Sequence, residues 1–506
     1  MRLARLLPIA VGCLLAAAPA ASADTARSSD AFVSSIGVNT HVIYDDTAYG
    51  NFDLVRDRLR ELGVRHIRDG LCGSCAWQHD RLNALAADGI KADLIVGTPR
   101  NHTGTMAENL LAVRSRLMNS VSALEAPNEW DMFSGWSTTW VGDVRTYQDQ
   151  LYAAVKADPA LRHLTVIGPS LAAKESGDRL GNLAAQLDRG NMHSYAGGRP
   201  PESDLQRELA LASKVSGGKP VVATEAGYHN ATGQGNNDHP GVDEASAARY
   251  LPRMFLEYFG SGVERTYAYE LLDERPGRAS WDMEASFGLL RSDFSRKPSF
   301  VAIRNLIALL RDPGPAVASA EFPLTVTDGP RDLRRLVLRK RDGRVYVALW
   351  RSVSRWSPEA RATSHVTDAP VTVEFGSAVE SVSAYSPVDS MTGTPLMISS
   401  GAVSLRLASA PIVLEVTPAA VTAAASPSPA AAPEPGPPAS SVTASPAPAA
   451  PAPSVPAPVP AAATPAPSSK PAAKRRAKRA AKRKAAARKK ARESRKRARR
   501  RAVNRQ

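Results

Sequence analysis

Between Ile36 and Leu310 the sequence alternates eight times between a short β-rich run and a helix-period stretch. The β-rich runs are Ile36–Val42, Val64–Arg68, Ala92–Val96, Ser122–Glu125, Leu164–Ile167, Gly190–His193, Pro220–Thr224 and Glu264–Tyr269. Stretches such as Phe52–Leu62, Ala107–Val121, Val141–Ala157 and Glu244–Phe259 separate them, and Phe300–Leu310 follows the last. In Phe52–Leu62 the apolar residues Phe52, Val55, Leu59 and Leu62 fall at steps of three and four, one face of an α-helix. Strands alternating with helices imply βαβ units and a parallel sheet. Eight such units in under 300 residues fit an α/β fold of the (β/α)₈ barrel type. The rival is a doubly wound open sheet. No G-x-G-x-x-G or G-x-x-x-x-G-K sequence occurs, so no nucleotide is expected as a ligand.

After Pro313 the pattern changes. Leu336–Leu338, Val345–Trp350, Val371–Phe375, Val403–Leu407 and Ile412–Val416 are short β-rich runs with turn signals such as Asp342-Gly343 between them. They predict a small antiparallel β-sandwich. From Pro418 to Ser469 the chain is almost only Ala, Pro, Ser, Val and Thr, and 17 of the 39 prolines lie between Pro418 and Pro471. Such a segment cannot bury enough surface to fold, and it is expected to be a disordered, extended linker reaching on the order of 100 Å. The domain reading is therefore a leader at 1–23, a barrel at 24–317, a β-sandwich at 318–417, an Ala/Pro-rich linker at 418–469 and a Lys/Arg-rich tail at 470–506.

The tail carries most of the charge. From Lys470 to Gln506 there are 20 basic residues and one acid, a balance of +19 against +15 for the whole chain. Everything before it sums to −4, so the high pI says nothing about the folded part and does not suggest a nucleic-acid-binding barrel. A block of this kind binds polyanions by counterion release, and the expected partner is an anionic cell-envelope polymer. It has no interleaved aromatics for base stacking.

The N-terminus reads as an export signal. Arg2 and Arg5 form a positive region, Leu6–Ala18 is a short apolar stretch, and Ala21-Ser22-Ala23 is an A-x-A cleavage site, so the mature chain is expected to begin at Asp24. No other segment has the roughly 20 apolar residues of a transmembrane helix. The expected location is secreted or extracellular, with retention on the cell wall through the tail. Three cysteines, one of them Cys13 in the leader, exclude a disulfide-rich scaffold and a four-cysteine metal site. Cys72-Gly73-Ser74-Cys75 is either a small-loop disulfide or two free thiols. No metal cluster is read and no cofactor is expected.

Catalytic residues of such a barrel sit at the C-terminal ends of its strands. Those ends carry His41, Arg68, Asn128-Glu129, His193-Ser194-Tyr195 and Glu225. Two carboxylates facing one cleft are what glycoside hydrolysis needs: one protonates the leaving oxygen, the other attacks or activates water on the opposite face. Ala126-Pro127-Asn128-Glu129-Trp130 resembles the Asn-Glu signature that closes strand 4 in clan A glycoside hydrolases, and Val222-Ala223-Thr224-Glu225-Ala226-Gly227-Tyr228 resembles their strand 7 nucleophile segment. His193-x-Tyr195 is similar to the His-x-Tyr of strand 6 in cellulase-like family 5. Tyr269-Glu270-Leu271 on strand 8, with a β-module after the barrel, is similar to family 39. The likeness covers roughly Ile36–Leu310 and consists of short motifs in order.

The resemblance implies a retaining mechanism by double displacement on an oligo- or polysaccharide with β-O-glycosidic bonds. Glu129 is then the acid/base and Glu225 the nucleophile. Asn128 binds the sugar 2-hydroxyl, Arg68 and Tyr195 keep Glu225 ionised, and His193 tunes Glu129 or binds substrate. His41 and Trp281 are further substrate-binding candidates, and Trp77, Trp130, Trp136 and Trp140 are aromatic residues in or near strand-end loops. One departure stands out. Strand 8 of clan A barrels usually ends in a tryptophan under the sugar, whereas Tyr267, Tyr269 and Glu270 hold that place here and Trp281 lies in the next loop. The alternative reading is a non-catalytic carbohydrate- or wall-binding protein on the same scaffold.

Overall fold

The computed structural model describes residues 23–100, 104–233, 239–276 and 281–419. The leader, the Ala/Pro-rich segment and the basic tail read from the sequence lie outside these, apart from Ala23 and residues 418–419. Eight parallel strands follow the first strand, β1 (Ala23–Ser28): β2 (Ile36–Asn39), β3 (His66–Gly70), β4 (Lys91–Ile95), β5 (Val121–Glu125), β6 (Thr165–Ile167), β7 (Gly190–Ser194), β8 (Val221–Ala226) and β9 (Arg265–Ala268). Their hydrogen-bonded order is β6-β5-β4-β3-β2-β9-β8-β7, and a parallel bridge between Ile167 and Arg189 nearly closes the ring. This is the predicted (β/α)₈ barrel.

The local physics is that of buried parallel strands. Every residue of β8 is buried, because helices cover the outer face while side chains from other strands fill the interior. The Phe52–Leu62 helix buries Val55, Leu59 and Leu62 on the predicted face and stops at Gly63, whose φ of +82° suits a residue without Cβ. Inside the barrel Tyr267 is fully buried against Gly37. A Cβ at position 37 would lie 2.4 Å from the Tyr267 ring, so glycine is what admits it. The Tyr267 hydroxyl donates to the buried Asp93 carboxylate, which also accepts from Ser122 Oγ at 2.7 Å. The barrel interior is thus partly polar, with those polar groups paired.

The C-terminal part is a second, mostly antiparallel sheet. Its strands are β10 (Ala320–Thr327), β11 (Leu333–Arg339), β12 (Val345–Arg351), β15 (Ala369–Phe375), β16 (Val379–Ser386), β17 (Ser390–Pro395), β18 (Ala402–Leu407) and β19 (Ile412–Pro418), with β13 (Trp356–Ser357) and β14 (Ala362–Thr363) as a separate two-stranded ribbon. The order β17-β16-β19-β12-β11-β1-β10-β15-β18 folds so that both ends share one core: Val371, Val373 and Leu407 pack in the same cluster as Val347, Leu349 and Leu414. The opposite faces of β11 and β12 present Leu338, Tyr346, Ala348 and Trp350 to the barrel core. Trp350 Nε1 donates to Glu257 on the Glu244–Gly260 helix at 3.1 Å. Burial on both faces explains why Val345–Trp350 reads as an unbroken apolar run.

One strand joins the sheet from outside the predicted span. β1 pairs antiparallel with β10 through Ala23–Ala26 and parallel with β11 through Arg27 and Ser28. Residues read from the sequence as the start of the barrel therefore bridge the two halves of the β-domain. Its partners lie about 300 residues away, beyond the reach of any local pattern. Among the described residues no helix is long and apolar enough to cross a membrane.

Candidate active site

Four strand ends converge at the C-terminal mouth of the barrel. β3 supplies Arg68, the loop after β5 supplies Asn128 and Glu129, β7 and its extension supply His193 and Tyr195, and β8 supplies Glu225. Glu129 has φ +43°, a left-handed backbone that is costly for a residue with a Cβ and that clusters at functional positions. Its own N–H donates to Ser170 Oγ at 3.2 Å, which helps to hold that turn.

A register shift sets the other glutamate. Met192 pairs with Ala223 and His193 with Glu225, so Thr224 is an extra residue on β8. Side chains of an unbroken strand alternate between faces. The bulge lets two consecutive residues engage the same interior set, as bulges beside active sites often do. Thr224 Oγ1 donates to Asn191 Oδ1 at 2.7 Å and lies 3.1 Å from His193 Nε2, while Glu225 Oε2 accepts from Tyr195 at 2.7 Å.

The buried Arg68 guanidinium organises the rest. Its Nε and Nη2 donate to the two oxygens of Glu125, each at 2.6 Å, a bidentate pair. Nη1 donates to Glu225 Oε1 at 2.7 Å and to Asn39 Oδ1 at 3.0 Å, and Nη2 also donates to Asn128 Oδ1 at 2.6 Å. Ser170 Oγ donates to the same Asn128 oxygen at 3.2 Å, which leaves the Asn128 NH₂ as the donor this side chain can offer a ligand. His193 Nδ1 is 2.9 Å from Glu129 Oε1 and 3.4 Å from Glu225 Oε2. Side-chain ligand atoms of Glu129, His193 and Glu225 all lie within 4.8 Å of one another.

The electrostatics follow from this packing. Burial alone would raise the Glu225 carboxyl, but the charges of His193 and Arg68 and the bonds from Tyr195 and Arg68 outweigh it and hold the group below its ordinary value. Burial pushes the His193 imidazole down, yet the Glu225 charge and the bond to Glu129 more than reverse this, and it is raised. Burial beside the Glu225 and Glu129 charges keeps the Tyr195 phenol well above its usual range, so it remains a donor.

Six of the predicted residues form one network: Arg68, Asn128, Glu129, His193, Tyr195 and Glu225. His41 pairs instead with Glu270, at 3.2 Å, and stacks on Tyr44. Trp281 stands on the loop after β9 with 55% of its surface exposed. Trp77 and Trp136 are also exposed, whereas Trp130 and Trp140 are core residues packed with Val144 and Leu180. Cys72 and Cys75 form a disulfide. Five partners were not singled out from the sequence: Asn39, Glu125, Ser170, Asn191 and Thr224. Asn191 Nδ2 donates to Glu125 Oε1 at 3.1 Å, and Thr224 Oγ1 lies 3.3 Å from the same oxygen. A carboxylate ending a predicted β-run, as Glu125 does, is the one available signal.

No family model matches the chain, and no curated protein does. Solved structures share its fold. A family 39 glycoside hydrolase from the gut symbiont Bacteroides cellulosilyticus WH2 superposes with a TM-score of 0.53 at 18% identity, over 77% of this chain and 81% of that one. A monomeric beta-xylosidase from Caulobacter crescentus CB15 gives 0.51 at 18% identity, over 78% and 98%. A GH30 endoxylanase from Clostridium papyrosolvens C71 gives 0.50 at 12% identity, over 79% and 98%. The fold is thus that of clan A glycoside hydrolases, barrel and β-domain together.

Proposed function

We propose that the chain is an exported retaining glycoside hydrolase that cleaves β-O-glycosidic bonds by double displacement. The observation that carries the reading is the carboxylate pair at the barrel mouth: Glu129 and Glu225 bring oxygens within 4.8 Å of each other. Retaining enzymes hold their two carboxyl groups about 5–5.5 Å apart, whereas inverting enzymes need roughly 6.5–9.5 Å to admit a water.

In the first step a Glu225 oxygen attacks the anomeric carbon while Glu129 gives its proton to the departing glycosidic oxygen. In the second step Glu129, now a carboxylate, takes a proton from the water that attacks the same carbon, and Glu225 is released. Arg68 and Tyr195 hold the nucleophile ionised and aimed. His193 donates from Nδ1 to one Glu129 oxygen, which leaves the other to carry the acid proton. The Asn128 amide donates to the sugar 2-hydroxyl, a bond that strengthens as positive charge develops on the ring.

Two of the similar folds belong to a beta-xylosidase and an endoxylanase, so xylosides and xylan are the first substrates to try. The test is hydrolysis of aryl β-glycosides and a β-glycan panel by the parent, Glu129→Ala and Glu225→Ala. Wild-type turnover by either variant refutes the assignment. Tight glycan binding by the parent without turnover favours the non-catalytic reading. The leader and the tail add a second proposal from composition alone: the protein is exported and residues 470–506 hold it to an anionic envelope polymer.

A further inference from the structure

The extra residue on β8, Thr224, fixes where one proton sits. Its side chain is fully buried and has three polar neighbours. Oγ1 is 2.7 Å from Asn191 Oδ1, 3.3 Å from Glu125 Oε1 and 3.1 Å from His193 Nε2. The Asn191 amide can stand only one way round. Its Nδ2 donates to Gly168 O at 3.0 Å and to Glu125 Oε1 at 3.1 Å, both acceptors, so its oxygen faces Thr224. Glu125 Oε1 also accepts from Arg68 Nη2 at 2.6 Å. Two of the three neighbours of the hydroxyl therefore only accept.

A threonine hydroxyl has a single proton to give. In the 2.7 Å contact that proton lies towards Asn191 Oδ1. Turned to His193 instead, it would leave two oxygen lone pairs face to face in a buried site. The third neighbour must bring its own proton, so His193 Nε2 carries N–H and the hydroxyl oxygen accepts it. This excludes the neutral ring protonated only on Nδ1. Nδ1 itself is 2.9 Å from Glu129 Oε1 and 3.4 Å from Glu225 Oε2. With Nε2 occupied, the ring donates from Nδ1 only as the imidazolium, and when neutral it can only accept there. The charged groups facing it are Glu225, Glu129 and Arg68. Burial and the Arg68 charge work against the imidazolium, and the two glutamates more than reverse this.

We infer that Thr224 and Asn191 are positioning residues that hold a proton on His193 Nε2, so that Nδ1, which faces Glu129, is the one ring nitrogen whose protonation changes. Both act through His193. The tautomer stands on hydrogen bonding alone, whereas its use in catalysis rests on the glycosidase reading. In that reading Glu129 meets a donor or an acceptor according to the charge of His193, never according to a tautomer swap.

The test is the side-chain nitrogen NMR spectrum of the full chain with its nine histidines isotope-labelled, His193 being assigned by the signals lost in His193→Gln. Nε2 should appear protonated at every pH at which the protein is folded, with only Nδ1 changing. Thr224→Val keeps the shape and removes the acceptor. Its His193 should titrate at lower pH, and the neutral ring should move to the Nδ1-protonated form. Thr224→Ser restores the hydroxyl and should restore both. On an aryl β-xyloside Thr224→Val should lose roughly tenfold in kcat/KM, the scale of one buried hydrogen bond, and Thr224→Ser should recover most of it. The inference is overturned if Nε2 of the folded parent is unprotonated, or if Thr224→Val leaves the tautomer and titration of His193 unchanged. Should Thr224→Val not fold, the parent spectrum decides alone. The expected spectrum in a parent that turns over no glycoside refutes the glycosidase reading and upholds the tautomer.

Discussion

Arg68→Lys tests the reasoning at its centre. The guanidinium makes five hydrogen bonds, two to Glu125 and one each to Glu225, Asn39 and Asn128. A lysine keeps the charge but has three N–H donors and no planar fork, so at least two of those bonds are lost. Bonds to charged groups contribute about 1.5–3 kcal/mol each, which puts the loss at about 3–6 kcal/mol. That loss divides between folding stability and the transition state, so kcat/KM should fall by roughly 10- to 1,000-fold. The pH dependence has a definite sign. Glu225 is held below its ordinary value against its burial, by His193, Arg68 and Tyr195 together. A carboxylate lowered in the folded state contributes stability that is present above its unfolded value and lost as pH falls through its folded value. Weakening the Arg68 contact lets burial recover part of its effect and raises the group. The acidic limb of kcat/KM should therefore move to higher pH, and the variant should lose stability earlier on acidification. The assay is kcat/KM on an aryl β-xyloside from about pH 3 to 8, with melting curves across the same range. A variant that melts like the parent and keeps both its kcat/KM and its acidic limb would refute the role given to Arg68.

Tyr195→Phe removes one bond to Glu225 and should shift the acidic limb in the same direction, with a loss of roughly 10- to 100-fold in kcat/KM measured below neutral pH. Leu349→Ala opens a cavity in the fully buried core of the β-domain; a cost of about 2–5 kcal/mol in urea unfolding is expected, with kcat of the folded fraction unchanged. Ending the chain at Thr417 should leave hydrolysis of a small soluble substrate intact and move the protein from cells into the medium. About 1 M salt should release the full-length protein from cells in the same way, and failure of either result refutes tethering by charge.

The barrel was legible because each parallel strand is buried on both faces and so appears as a compact β-rich run, while the helices between carry a 3.6-residue apolar period. All eight runs read between Ile36 and Tyr269 overlap a barrel strand. Strand ends are where such a barrel collects its chemistry, and that rule alone reached Arg68, Asn128, Glu129, His193, Tyr195 and Glu225, which share one hydrogen-bonded network. What the order of residues does not encode locally is contact between distant segments. The place of β1 in the β-domain depends on partners about 300 residues away. The burial of Trp130 and Trp140 depends on helices that pack over them, and the turn of His41 toward Glu270 depends on two strands closing side by side. The bulge at Thr224 is the sharpest case. A period-two reading of Val222-Ala223-Thr224-Glu225 sends Thr224 and Glu225 to opposite faces, and only the register of β8 against β7 brings both to His193 and Arg68. Composition and periodicity are properties of one segment and survive in the sequence; register, closure and the pairing of buried charges belong to two segments at once and are settled only when the barrel closes.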